Sequence, residues 1–353
     1  MKRTVKINVG KGYDVVIGDG LLDACGGLIA EVTGSCGAVV VTDSNVEKLY
    51  LQTVLDSLKN AGISAVSYAF PAGEESKNIS TLSDILEFMA EQHLGRGDIV
   101  VALGGGVTGD MAGFAAAVYL RGVRYVQLPT TLLAAVDSSV GGKTAIDLKK
   151  GKNLAGAFKQ PEIVICDTDT LCTLADYETA NGMAEAIKTG VLFDKGLFDL
   201  FDGDVSGGTL EDVIERCVRH KGHIVEIDEK EQNERRLLNL GHTIGHAIEK
   251  CSDYTMGHGH AVAAGMAMIC RAGERMGITE IGTAEAVEKL LVKHGLPINT
   301  DYDTGALVKA AMSDKKRAGG SITFVVPERI GKCALVTEPV EALERYIELG
   351  KDR

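Results

Sequence analysis

Several features are missing from this 353-residue chain, and each absence removes a class of protein. No apolar run reaches the roughly 18 residues that a membrane-spanning helix needs. The stretch MAGFAAAVYL stops at Arg121, so a membrane partner is not expected. Basic residues are in deficit: 37 Lys and Arg stand against 49 Asp and Glu, a net charge of −12. No basic run or aromatic-interleaved basic patch offsets that field, so a nucleic-acid partner is not expected either. The eight cysteines (Cys25, Cys36, Cys166, Cys172, Cys217, Cys251, Cys270 and Cys333) show neither a CxxC nor a repeated spacing. MKRTVKINVG reads as a strand, not a cleavable signal, and a reduced cytoplasmic chain is expected. HExxH is absent, which excludes the usual metalloprotease helix. Internal repeats and low-complexity segments are absent too.

What is present is a chain longer than one typical domain, able to bury a large core without staples. TVKINV and YDVVIG alternate around Gly10-Lys11-Gly12, the pattern of a β-hairpin. Strands AVVVTD, ISAVSYAF, DIVVALGG, YVQLPTT and EIVICD follow, the earlier ones alternating with amphipathic helical patterns. That rhythm predicts an α/β domain with a mostly parallel, Rossmann-like sheet over residues 1–174. From residue 175 the pattern becomes mainly α-helical and runs to about 318, closing on a late hairpin, SITFVVPERIGKCALV. The second domain is therefore placed at 175–353.

The stretch from Arg235 to Gly265 holds four of the eight histidines: His242, His246, His258 and His260. On a helix over LLNLGHTIGHAIEK, His242 and His246 stand i, i+4 on one face, with Asn239 three residues earlier on the same side. His258 and His260 open an apolar run of small residues, AVAAGMAMI, that reads as a second helix packed on the first. Crowded imidazoles with an open coordination position suit a catalytic zinc, which usually takes about three protein ligands, one of them often a carboxylate. The carboxylate has to come from elsewhere in the chain.

Gly104, Gly106 and Gly109 form a GxGxxG after the apolar strand Ile99 to Leu103 and at the start of a helix, the context of a pyrophosphate cradle. The ribose-binding acid expected about 20 residues later is missing. Asp43, at the end of an earlier strand, can serve if the strand order differs. Between Tyr119 and Phe158, Arg121, Thr130, Thr131, Asp137, Lys143, Lys152 and Asn153 are set among glycines, in what reads as loops, where function concentrates.

LGGGVTGDMAGF, LPTTLLAAVDSSVGGKTA, GKNLAGAF, NGMAEAIKTG and LLNLGHTIGHAIE together resemble the 3-dehydroquinate synthase family of sugar phosphate cyclases, over nearly the whole chain. The resemblance implies NAD and Zn2+ (or Co2+) as cofactors and a sugar phosphate, 3-deoxy-arabino-heptulosonate 7-phosphate, as substrate. It implies that Glu185, His242 and His258 hold the metal and that His246, Lys143, Lys188, Asp137 and Glu185 serve the chemistry. NAD-contacting positions are implied at Asp43, Asn45, Glu74, Lys77, Gly104, Gly105, Gly106, Asp110, Thr130, Thr131, Lys143, Lys152, Thr173 and Leu174. Substrate-contacting positions are implied at Arg121, Asp137, Lys143, Lys152, Asn153, Lys188, Lys221, Arg235, Asn239, His246 and the pair Lys315 and Lys316. Glu185 and Lys188 stand i, i+3, a spacing that by itself more often marks a solvated ion pair. A homodimer is the expected assembly.

Two positions depart from the family's pattern. His260 stands where HGE is usual, and Tyr177 stands where an Arg commonly precedes Glu178. The first puts the orientation of the neighbouring metal ligand in doubt, because a proton acceptor is replaced by a group able to donate. Three other readings share parts of this pattern. A 2-deoxy-scyllo-inosose synthase-like cyclase is the nearest; a metal- and NAD-dependent polyol dehydrogenase would need no phosphate cluster and would release NADH; a non-catalytic binding module would not need Lys143, Glu185, Lys188, His242 and His246 together.

Overall fold

Alternation of side chains across a sheet decides the first unit. The computed structural model describes residues 2–315 and 320–351. Residues up to Leu174, together with Lys221–Glu226, form one compact unit, and Ala175–His220 with the chain from Ile227 onward form a second.

In the first unit β1 (Arg3–Ile7) and β2 (Tyr13–Gly18) make the expected antiparallel hairpin. The chain continues through α1 (Leu21–Thr33), β3 (Gly37–Asp43), α2 (Gln52–Asn60), β4 (Ser64–Phe70), α3 (Ile79–Glu91), β5 (Ile99–Gly104), α4 (Gly106–Val118) and β6 (Arg124–Pro129). It then forms β7 (Lys143–Leu148), β8 (Gly151–Phe158) and β9 (Ile163–Asp167). Seven strands pair in the order β1-β2-β9-β6-β5-β3-β4, parallel except for the first pair. Successive residues of β3 and β5 point to opposite faces. Val40, Val101 and Leu103 join one core with Cys25, Ile29, Val54 and Leu58 of α1 and α2. Val39, Val41, Val100 and Ala102 join the other with Ile85, Met89, Met111 and Ala115 of α3 and α4. Each fully buried Val, Leu or Ile contributes about 1.5–3 kcal/mol, so a sheet apolar on both faces stays covered on both.

One expectation needs correction. Lys143, Lys152 and Asn153, read from sequence as loop residues, lie on the separate antiparallel pair β7–β8. Glycines and lysines fill this segment, and β8 is nowhere fully buried. It therefore lacks the clean apolar alternation by which a half-buried strand is recognised.

The second unit is built from α5 (Asp176–Phe193), α6 (Lys195–Leu200), α7 (Gly207–Ile227), α8 (His242–Cys251), α9 (His258–Arg275), α10 (Thr283–Lys293), α11 (Thr304–Lys315) and α12 (Ala342–Gly350). A hairpin of β10 (Ser321–Arg329) and β11 (Lys332–Pro339) completes it. Within α7 the stretch Lys221–Glu226 belongs with the first unit. Two helices are buried all round, as central helices are: α5 from Ala180 to Leu192 and α9 from Gly259 to Gly273. Lys315 closes α11, and Lys316 lies outside the described residues.

A second correction concerns the helix expected over LLNLGHTIGHAIEK. Glu234–Asn239 is a 3₁₀ turn, Gly241 is left-handed (φ 78°), and α8 begins only at His242. Asn239 therefore does not share the α8 face with the histidines; its side-chain amide donates to Glu231 Oε1 at 2.7 Å. A Cβ at Gly241 would lie 2.6 Å from the Val262 carbonyl oxygen, so this break is tied to the packing of α8 on α9.

Candidate active site

Glycines at the α8–α9 and α5–α9 crossings let three backbones approach closely enough for short side chains to converge. A Cβ at Gly265 of α9 would fall 2.2 Å from the Gly241 carbonyl oxygen, and one at Gly245 of α8 would fall 3.0 Å from that of Ala261. A Cβ at Gly259 would sit 2.0 Å from the carbonyl oxygen of Asn181 on α5. These approaches bring His242 and His258, the first residues of α8 and α9, to 5.1 Å between ring centroids, beside Glu185 of α5.

Glu185 is 1% exposed. Its Oε1 lies 3.6 Å from His258 Nε2 and 4.0 Å from His242 Nε2 and receives no hydrogen bond. A buried carboxylate oxygen with no donor and two imidazole nitrogens facing it is costly unless something positive sits among them. The three ligand atoms lie within 4.8 Å of one another. Both rings are oriented from behind. His242 Nδ1 is 3.1 Å from the Leu240 carbonyl, which can only accept, so Nδ1 carries the proton and Nε2 offers its lone pair. His258 Nδ1 is likewise 3.3 Å from Glu249 Oε2, and Glu249 is 3% exposed. Burial, reinforced by the nearby Lys188 charge, holds His242 well below the ordinary histidine range, so it is neutral and ready to ligate. Burial pulls His258 down too, but the hydrogen bond and charge of Glu249, with the charge of Glu185, outweigh it and raise its pKa. A Glu/His/His set with oriented imidazoles fits zinc or a similar ion.

Lys188 is 2% exposed and its ammonium meets Glu185 Oε2. This i, i+3 pair is buried, unlike the solvated surface pair that its spacing alone suggests. His246 stands one turn after His242, half exposed, with its ring centroid 5.2 Å from that of His242 and 5.8 Å from that of His258. His246, Glu249 and His258 also lie close enough to hold an ion. Glu249, however, faces the Nδ1 side of His258, so serving both sets would take away the orienting bond. Arg235 is buried, its guanidinium donating to the Glu229 carbonyl at 2.5 Å.

In the first unit the order of strands puts β3 beside β5, so Asp43 stands next to the glycine turn. Asp43 Oδ2 is 3.4 Å from the Thr108 hydroxyl, and its Oδ1 accepts from the N–H groups of Asn45 (2.9 Å) and Val46 (3.1 Å). The chain leaves β3 toward β4 on one side and leaves β5 toward β6 on the other, and such a switch point at the carboxyl ends of strands is where open α/β sheets bind ligands. Gly104, Gly105 and Gly106 lead into α4, whose first N–H groups lack intrahelical acceptors. A Cβ at Gly104 would meet Thr108 Oγ1 at 2.4 Å, and one at Gly105 would meet Thr131 Cγ2 at 2.9 Å. The glycines thus leave a backbone cradle that larger residues would fill. Thr130 is buried beside it, its N–H donating to the Gly104 carbonyl.

A charge network adjoins the cradle. Lys77 Nζ lies 2.6 Å from Asp110 Oδ2 and donates to Asn153 Oδ1 at 2.5 Å, and Lys152 Nζ is 3.6 Å from Glu74 Oε1. Burial works against the Lys77 charge, but Asp110 and Glu74 outweigh it and hold the ammonium above its ordinary range. Lys221 donates to the Asp137 carboxylate at 2.8 Å. Thr173 meets the Tyr50 hydroxyl at 2.5 Å, and Leu174 follows it. Lys143 is exposed at the start of β7, and Arg121 is exposed in a left-handed turn (φ 68°).

Two family models, 3-dehydroquinate synthase N-terminal and 3-dehydroquinate synthase C-terminal, match residues 67–181 and 182–317 in succession. The chain belongs to the 3-dehydroquinate synthase family. A 3-dehydroquinate synthase of Clostridium kluyveri is 43% identical over 341 residues, covering 95% of each chain. Among solved structures, 2-deoxy-scyllo-inosose synthase complexed with carbaglucose-6-phosphate, NAD+ and Co2+ has a TM-score of 0.88 at 26% identity, covering 98% of this chain and 99% of that one. 2-Epi-5-epi-valiolone synthase from Streptomyces hygroscopicus subsp. jinggangensis 5008, with NAD+ and Zn2+ bound, has a TM-score of 0.88 at 25% identity, covering 99% and 98%. The resemblance read from the motifs and the expected fold class both agree with these matches. Among the described residues no helix is long and apolar enough to cross a membrane.

Sequence reasoning missed Glu249 and Asn181. Glu249 ends the stretch LLNLGHTIGHAIE, three residues after His246 and two turns after His242 on one helix face, and that spacing was the available signal. Asn181 opens the stretch NGMAEAIKTG, and its place one turn before Glu185 on α5 was the signal it offered. The neighbourhood of His260 also differs from the one expected: the orienting contact to His258 comes from Glu249, while His260 Nδ1 meets Asn181 Oδ1 at 3.1 Å.

Proposed function

We infer that this chain is a 3-dehydroquinate synthase. It converts 3-deoxy-arabino-heptulosonate 7-phosphate into 3-dehydroquinate and inorganic phosphate, a carbon–oxygen lyase reaction of the shikimate pathway in which NAD is regenerated. The observation that carries the reading is the Glu185, His242 and His258 triad in a chain of this family, with a carboxylate oxygen that has no donor of its own. When bound, NAD at the glycine turn accepts and returns a hydride, and a divalent ion at the triad polarises the oxygen it meets.

The chain's own residues do the rest. Glu185 neutralises part of the ion's charge and His242 and His258 present Nε2 in fixed tautomers. Lys188, anchored on Glu185, places an ammonium where a substrate oxygen can receive its hydrogen bond. His246, half exposed beside these rings, is placed to hold or move a proton at Nε2. In the first unit Asp43 accepts from a ribose hydroxyl, and the glycine turn and the first N–H groups of α4 receive the pyrophosphate. Lys152, Arg235 and the other cations named above bind the substrate's phosphate and carboxylate. A net charge of −12 offers such a substrate no long-range attraction, so local charge-assisted bonds have to supply the binding.

Phosphate release from the purified protein with the heptulosonate phosphate tests this reading. Release is expected only with NAD present, to fall with a chelator and to return with Zn2+ or Co2+, while absorbance at the nicotinamide band stays flat. Steady accumulation of NADH on a polyol, with no phosphate released, would replace the reading with a polyol dehydrogenase.

A further inference from the structure

Tyr177 and His260 lie far apart in sequence and touch in the fold. Their rings stack with centroids 4.0 Å apart and planes 15° from parallel. Around them α5 and α9 are joined by polar contacts at the start of α9. Gly257, just before α9, has no side chain with which to cap it. The cap comes from α5 instead: Asn181 Oδ1 accepts from the N–H groups of Gly259 (2.8 Å) and His260 (3.3 Å), as well as from His260 Nδ1. The Tyr177 hydroxyl accepts from the Gly257 N–H at 2.6 Å. His258 stands inside this clamp, and Glu185 is one helical turn beyond Asn181 on α5.

We propose that Tyr177 and His260 are a coupled positioning pair that seats the first turn of α9 on α5 and so sets His258 at its distance from Glu185. The proposal rests on the metal reading given above.

Hydrogen-bond chemistry makes the two identities interdependent. Asn181 Oδ1 serves as an acceptor for two backbone donors, so a polar side-chain atom that position 260 sets against it has to be a donor. Histidine brings one, and its flat ring then covers Tyr177. A glutamate at 260 would bring an acceptor against an acceptor in a site only 9% exposed, and it would need a cation at 177 to hold it. Arg at 177 with Glu at 260 is therefore one self-consistent solution, and Tyr with His is another. Mixed pairs leave a buried acceptor or a lone cation at the base of the His258 turn.

Zinc affinity, measured by competition with a chromophoric chelator, separates the cases. Tyr177→Arg and His260→Glu are each expected to weaken zinc about 10-fold, as loss of an orienting partner does, with the double variant within about 3-fold of the parent. The cobalt-loaded single variants should show a shifted visible band that the double variant restores. If His260→Glu fails to fold by circular dichroism, Tyr177→Ala decides the matter at a half-exposed position: it should weaken zinc, while Tyr177→Phe, which keeps the stack, should lose less. Single variants with the parent's affinity and spectrum, or a double variant whose loss is the sum of the single losses, would overturn the coupling. A merely structural pair would lower the melting temperature of the metal-free protein and leave zinc affinity unmoved. Glu185→Gln serves as the control: if it binds zinc as the parent does, the metal reading itself fails, whereas its loss of zinc beside unaffected Tyr177 and His260 variants sinks the pair alone.

Discussion

Removing the carboxylate of Glu249 should weaken the metal site although Glu249 lies on the far side of the imidazole from the ion. Its Oε2 sits 3.3 Å from His258 Nδ1, and it is 3% exposed. The carboxylate does two things: it fixes Nδ1 as the protonated nitrogen, and its charge makes Nε2 a better donor to a cation. Glu249→Gln keeps an oxygen that can accept but loses the charge, so a decrease near 10-fold in zinc affinity, about 1.4 kcal/mol, is expected. Glu249→Ala removes the acceptor altogether and lets the ring turn, and should approach a 100-fold loss, about 2.7 kcal/mol. Chelator competition measures the affinity, and phosphate release at saturating zinc should recover much of the lost rate in the Gln variant. Both variants holding zinc with the parent's affinity would refute the argument that the hydrogen bond orients His258.

Three further outcomes follow from the same geometry. Gly259→Ala would place a methyl 2.0 Å from the Asn181 carbonyl oxygen, so α9 has to move off α5; urea unfolding should show a loss of about 1–3 kcal/mol and zinc content should fall, and parent-like stability would count against close packing at this crossing. Lys77→Met takes the donor away from Asp110 and Asn153; NAD affinity by titration calorimetry should drop while zinc content stays constant, and equal loss of both would indicate general disruption. Asp194 caps α6 through the Leu197 N–H and is gripped by Arg216 at 3.0 Å through two bonds. Burial raises its pKa, but the His220 hydrogen bond, the Leu197 N–H and the Arg216 charge outweigh it, so the folded pKa lies below the ordinary 3.8. Its contribution is therefore complete above about pH 4 and is lost as pH falls through the folded value; Asp194→Asn should cost about 1–3 kcal/mol near neutrality, and the gap to the parent should close in acid.

Local chemistry was enough for part of this protein. Continuous apolar runs in AVVVTD and IVVALG, punctuated by glycine and amphipathic helices, are what strands of a parallel sheet covered on both faces require. The glycine turn at Gly104 to Gly106 and the i, i+4 spacing of His242 and His246 are likewise properties of short segments. Long motifs such as LLNLGHTIGHAIE carried the family, since so many matching positions leave few other readings.

Other features depend on which elements meet, and no window of sequence contains that. Asp43 adjoins the glycine turn because β3 pairs with β5, an outcome of strand order. The break at Gly241 and the glycines at 245, 259 and 265 read as weak points in a helix, yet each is where another backbone passes within contact distance. That approach brings Glu185 to His242 and His258 across 57 and 73 residues of chain. It also makes neighbours of Glu249 and His258, and of Tyr177 and His260. Side-chain types limited what these groups could do; only the crossing of α5, α8 and α9 decided what each one faces, because a hydrogen bond or a metal ligand acts over about 2–3 Å and sequence distance says nothing at that scale.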